Sequence, residues 1–206
     1  MHSSPRHPCR VALFLMVIAG LSPAGFDGAT FAAHVVGVRI ESLSYLPVEA
    51  FGIAAATLVG QSLGAGHPRL ARRVAHVALF QCVGYAALMT IVFYVFAPQI
   101  YAGMHASSDV AEVGVPAFQL LAFYQIPNAA AIVYLYALTG AGDTRFPMFC
   151  SLIGNVCVRV SVGYVCGVIL HGGLVGAWIG MGADNILRAI LAYWRYRAGR
   201  WTRIKV

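Results

Sequence analysis

The side chains best placed to do chemistry are ionisable and amide groups set inside apolar runs. A charge in hydrocarbon is costly, so each one found there needs a partner or a task. Glu49 follows Pro47 by two residues in a long apolar stretch. It could bind a proton or a cation beside carbonyls freed by the proline, or pair with Arg39 or Arg159. Glu41, nearer the start of the same stretch, is a weaker case of the same kind. Tyr124, Gln125 and Asn128 lie in Phe123-Tyr124-Gln125-Ile126-Pro127-Asn128-Ala129. Tyr124 and Asn128 are one helical turn apart and share a face. The three are cavity candidates for a cation or substrate, or polar contacts between helices. Asp184 and Arg188 are spaced for an i,i+4 ion pair. Arg159, mid-run, faces a bundle interior in a structural or a functional role. His34 is expected to hydrogen-bond between helices, with a protonation switch as the alternative.

Enzyme signatures are missing from the sequence: there is no His-Glu-x-x-His, no nucleophile elbow and no metal-ligand cluster. Gly140-Ala141-Gly142-Asp143-Thr144-Arg145-Phe146-Pro147 is glycine-rich, but no Lys-Ser/Thr follows the glycines, so it reads as a turn between helices. Cys9, Cys82, Cys150, Cys157 and Cys166 show neither metal nor redox spacing, and four of them lie in apolar runs. No cofactor, metal or nucleic-acid partner is implied.

The elements that must position these residues are membrane helices. Of 206 residues, 60% are hydrophobic and 10% charged, and the mean hydropathy is +0.75. Soluble domains are nearer about 25% charged. The reading is an all-α polytopic membrane protein of about six transmembrane helices, with spans near residues 11–26, 28–63, 74–100, 113–139, 146–170 and 174–194. Residues 1–10 form a basic N-terminal segment and 195–206 a basic tail. The first run is short, and 1–25 could be a truncated helix, a secretory signal or a weak anchor. Pro47 kinks the second span, and neighbouring helices must satisfy the carbonyl it frees. Arg69, Arg72 and Arg73 are read as a cytoplasmic loop after Gly64-Ala65-Gly66. The net charge of +7 follows from positives at the ends of spans. With both termini cytoplasmic, Arg6/Arg10, Arg69/Arg72/Arg73, the Asp143–Arg145 turn and the tail all fall inside. The Asp109/Glu112 loop falls outside, as the positive-inside rule requires.

The sequence resembles the multidrug and toxic compound extrusion (MATE) transporter family. The residues that carry the resemblance are Ala32-Ala33-His34, Arg39-Ile40-Glu41-Ser42-Leu43-Ser44, Ile53 to Gly66 (Ile-Ala-Ala-Ala-Thr-Leu-Val-Gly-Gln-Ser-Leu-Gly-Ala-Gly), Ala71-Arg72-Arg73 and Gly140 to Met148. The resemblance runs from about Phe26 to Trp201 and maps onto the C-terminal half of the family, one lobe of a two-lobe bundle. It implies a lobe of an antiporter in the plasma (inner) membrane that exports amphipathic, often cationic compounds in exchange for Na+ or H+. In one branch of the family a Tyr and an Asp four residues apart contribute to a cation site. Tyr124 and Asn128 occupy those places here, and the neutral Asn128 could coordinate sodium but not carry a proton. The alternatives are a non-transporting fragment, or a half-transporter that works as a dimer or with a separate N-terminal lobe. Beyond the coupling ion no cofactor is implied. The partners are the lipid bilayer, the small substrate and a complementary lobe.

Overall fold

The computed structural model describes residues 28–104, 107–199 and 201. Five helices make up this part of the chain: α1 (Gly28–Gly64), α2 (Pro68–Gly103), α3 (Ser108–Gly140), α4 (Arg145–Ile169) and α5 (Gly173–Arg197). Each is long and apolar enough to cross a membrane. The fold is therefore an all-helical membrane bundle, with no strand among the described residues. The span expected at residues 11–26 and the basic segment before it lie outside the described residues, as does the tail beyond Trp201.

α1 holds 37 residues and α2 holds 36. At about 1.5 Å per residue each exceeds the roughly 30 Å hydrocarbon core, so their ends reach the headgroup layers. The connection between them is shorter than the sequence suggests. Gly66, at φ 75°, turns the chain, and α2 begins at once at Pro68. Proline suits a first helical turn because its missing N–H has no partner there. Arg69, Arg72 and Arg73 accordingly sit on the first turns of α2 and not in a loop.

Prolines inside α1 and α2 each free the carbonyl four residues earlier. For Pro47 that is the carbonyl of Leu43, and the Tyr85 hydroxyl of α2 donates to it at 3.0 Å. For Pro98 it is the carbonyl of Tyr94, and Gln119 Nε2 of α3 donates to it at 3.3 Å. Both repairs come from a neighbouring helix, as hydrocarbon surroundings demand.

α3 is the central helix, packed against α1, α2 and α5. One end of its core joins Phe118 to Phe93, ring centroids 4.8 Å apart, and to Tyr101 and Trp178. The other end joins Leu138 and Ala141 to Val59, Ala71, Tyr196 and Trp201. There α1 and α3 nearly touch, since a Cβ on Gly60 would lie 2.9 Å from the carbonyl oxygen of Gly140.

α4 is built differently. Two π-helical stretches, Ile153–Val158 and Val165–Ile169, interrupt its α-turns. Such turns are wider and re-aim the side chains beyond them. α4 rests on α5 through glycine: a Cβ on Gly180 would lie 2.6 Å from Gly163 Cα, and one on Gly176 would lie 2.6 Å from Gly167 Cα. Small residues four apart on both helices let the backbones meet. The turn into α4 is fixed to the end of α5, where Asp143 Oδ2 accepts from Arg195 Nε at 2.8 Å. The same guanidinium lies 5.4 Å from the Phe146 ring centroid.

Candidate functional site

α1 presents His34, Glu41, Tyr45 and Glu49 at spacings of seven, four and four, which places them along one face. α3 presents Asn128, Ile132 and Tyr136, each four apart. These two stripes, Arg159 of α4, and Met181, Asn185 and Arg188 of α5 enclose a cavity of about 620 Å³. Its size falls in the range of roughly 300–1,000 Å³ usual for small-molecule pockets.

One region of the wall is a cluster of oxygen atoms. Tyr136 Oη donates to Glu49 Oε1 at 2.9 Å. Gly52, one turn further along α1, makes room for the Tyr136 ring, whose Cδ2 would lie 2.9 Å from a Cβ there. The pairing of Glu49 with Arg39 or Arg159 weighed from sequence is not present. The three ion pairs among the described residues are Arg159–Asp184, Arg188–Asp184 and Arg195–Asp143. A carboxylate so held, with a phenol and an amide carbonyl near by, suits a small cation or a proton.

The other region is cationic. Asp184 is fully buried and draws in two arginines. Arg188 Nη2 donates to Asp184 Oδ2 at 2.8 Å and to Asn185 Oδ1 at 2.7 Å. Arg188 Nε lies 2.8 Å from Asp184 Oδ1, and Arg159 Nε lies 3.4 Å from Oδ2. Gly154 leaves the space Asp184 occupies, because a Cβ there would collide with its Oδ1. Asp184 therefore stands behind the wall and orients guanidinium groups that line it. Buried Glu41 also lines the cavity, and the charge of Arg159 acts on it.

The candidates read from sequence separate into two groups. Glu49, Asn128, His34, Arg159 and Arg188 line the cavity. Tyr124, Gln125 and Asp184 do not. Gln125 is buried and accepts from Ser44 Oγ at 3.1 Å, a contact between α3 and α1. Gln125 precedes Asn128 by three residues, which at about 100° each leaves the two side chains about 60° apart, and Gln125 meets Ser44 instead of the cavity. The ring of Tyr124 fills the slot left by Gly182, where any Cβ would overlap it. His34 joins helices as well as lining the cavity, because its Nδ1 accepts from Trp178 Nε1 of α5 at 3.2 Å. Tyr45, Tyr136 and Asn185 were missed from sequence. The repeat of polar residues every three or four positions on α1 and α3 was the signal that could have found the tyrosines.

A helical membrane bundle with an open polar cavity of this size defines a class of membrane proteins with room for a small molecule between their helices. Comparison with known proteins narrows the class. Residues 11–165 match the MatE family, and the chain belongs to it. A probable multidrug resistance protein NorM of Brucella suis biovar 1 is 33% identical over 172 residues, which are 81% of this chain and 36% of that protein. A probable multidrug resistance protein NorM of Thermotoga maritima is 28% identical, over 83% of this chain and 37% of that one. The chain thus spans well under half the length of these relatives. Among solved structures, a MATE protein in a straight conformation superposes with a TM-score of 0.82 at 16% identity, over 97% of this chain and 44% of that chain. An outward-facing and an inward-facing MATE family transporter superpose at 0.81 and 0.77.

Proposed function

We propose that this chain is the C-terminal lobe of an ion-coupled exporter of amphipathic, often cationic organic compounds in the plasma membrane, with its termini on the cytoplasmic side. The cavity between α1, α3, α4 and α5 carries this reading. It puts a carboxylate, a phenol and an amide in a largely polar and charged wall, in which Val35, Val38, Ile132 and Met181 are the apolar side chains. Glu49, held by Tyr136, takes the coupling cation, Na+ or H+, and Asn128 offers its carbonyl oxygen to a metal cation or to the substrate. Arg159 and Arg188, oriented by Asp184, set the charge of the opposite wall. Ion and substrate then bias one two-state bundle between inward- and outward-open forms. The similar fit of this lobe to inward- and outward-facing relatives supports a unit that rocks as a body. In this reading a complementary lobe closes the open side of the cavity, since the chain spans well under half the length of its relatives.

The test is reconstitution into proteoliposomes, with the chain alone and with the N-terminal half of a family relative. Ethidium movement is followed under an imposed Na+ or H+ gradient. One of the two preparations is expected to move ethidium against its gradient, and Glu49→Gln is expected to uncouple it. If neither preparation responds to either ion, the non-transporting reading replaces this one.

A further inference from the structure

A second concavity shares no residue with the polar cavity. It is an apolar groove of about 430 Å³ between α1 and α2, floored by Ala54, Ala55 and Ala78 and walled by Phe51, Leu58 and Val77. At Arg73, Val77 and Gln81 it runs into a broader open hollow of about 800 Å³, lined also by Arg72, His76 and Phe80. We propose that this surface binds an anionic phospholipid, one acyl chain lying in the groove and the headgroup phosphate meeting Arg72, Arg73 and His76.

Charge complementarity points to the headgroup. Arg69, Arg72 and Arg73 are exposed on the first turns of α2, and none belongs to an ion pair among the described residues. Asp143, the acid at this end of the bundle, is already bonded to Arg195. Glu41 and Glu49 face the polar cavity, and Asp184 is buried. Asp109 and Glu112 begin α3, at the far end of α2 from its arginines. Basic groups at a membrane surface attract anionic lipid by about a factor of five each.

The shape points to the acyl chain. From Leu58 to Phe51 the groove follows α1 for about 10 Å, a depth that runs from the interface into hydrocarbon. Beyond it α2 keeps an exposed apolar face: Phe80 is 83% exposed, and Leu88, Ile91 and Val95 continue the same side. A complementary lobe would close the polar cavity, which lies on the side of α1 that faces α3, α4 and α5, whereas the groove lies on its α2 side and is left to lipid.

The test is native mass spectrometry of the purified full chain, released from detergent containing equal amounts of phosphatidylglycerol and phosphatidylcholine. Phosphatidylglycerol is expected to be retained about thirtyfold in preference, the worth of two arginines at an anionic surface. Arg72→Gln with Arg73→Gln should remove that preference. Ala54→Phe, which fills the groove from an exposed position and leaves the arginines, should reduce phosphatidylglycerol retention. Glycerophosphoglycerol, the same headgroup without acyl chains, should bind wild type and Ala54→Phe alike and weakly. Equal retention of the two lipids overturns the proposal. So does a preference untouched by both variants, or a dimer that protects the groove from lipid.

Discussion

α3 and α4 are both apolar helices of membrane length, yet they are held in opposite ways. Half of the most apolar window of α3 is buried inside the bundle, against 11% of that of α4. α3 is gripped by large side chains, with Phe118, Leu121, Val133 and Leu138 all enclosed. Among the described residues α4 is held mainly by α5, through backbone contact at Gly163 and Gly167 and through Arg159 reaching Asp184. The first arrangement spreads stability over many dispersion contacts, each small. The second concentrates it in one buried carboxylate and two glycine crossings. A helix attached at few points can shift without disturbing the rest, and the polar cavity lies where the two arrangements meet. α1 and α3 supply its carboxylates and phenols, while Arg159 of α4 and Arg188 of α5, joined by Arg39 of α1, supply its guanidinium groups.

The largest expected effect follows from removing the concentrated attachment. Asp184→Ala leaves Arg159 and Arg188 without their counter-charge. Truncating one partner of a buried ion pair typically costs about 3–5 kcal/mol. Hydrogen exchange in detergent should show the loss in α4 and α5, with α3 protected as before. Phe118→Ala is the matching cut in α3, at about 3–5 kcal/mol for a buried aromatic. It should lower protection in α1, α2 and α3 together. If Asp184→Ala loosens α3 as much as α4, the distinction between the two regions is wrong.

A smaller cut tests the glycine seam. Gly180→Val places a side chain where Gly163 Cα and N lie 2.6 Å from the new Cβ. Overpacking of this kind costs about 1–3 kcal/mol. Among the described residues α4 has no partner on its outer side, so it should move out from α5. The expected readout is faster exchange in α4 with little change in overall unfolding temperature. Unchanged exchange there would mean that the seam does not hold the helix.

How much of this was legible depends on how far apart in sequence the contacts lie. The helical membrane class was plain, because composition alone sets it. The Asp184–Arg188 contact was readable, since four residues along a helix bring two side chains together wherever the helix sits. The repair of Pro47 was foreseen in kind but not in identity, because Tyr85 becomes its neighbour only once α1 and α2 have paired. The bond of Tyr136 to Glu49 joins residues 87 apart and needs the register of α1 against α3. Arg159 reaching Asp184 needs the α4–α5 hairpin, and its aim depends on a π-helical stretch that no residue pattern announces. Gln125 shows the converse: it is polar and only three residues from Asn128, yet its side chain is buried against Ser44 of α1 and does not line the cavity. The glycines at 163, 167, 172, 176 and 180 carried a spacing that could have placed the α4–α5 seam.

The smallest expected effect sharpens the comparison at the cavity itself. Tyr136→Phe removes one hydrogen bond to Glu49 and changes little else, because the ring still rests on Gly52. In a sealed core, losing a bond to a carboxylate could cost about 1.5–3 kcal/mol, but both residues are only partly buried and water can replace the hydroxyl, so about 1 kcal/mol is expected. The thermal unfolding midpoint in detergent should therefore fall slightly, and exchange in α4 should not change. A double cycle with Glu49→Gln isolates the coupling between the two side chains, which should be a few tenths to about 1 kcal/mol. If Tyr136→Phe instead frees α4, the oxygen-rich wall and the guanidinium wall are one mechanical unit. The cavity would then belong to neither region but would be the joint that ties them.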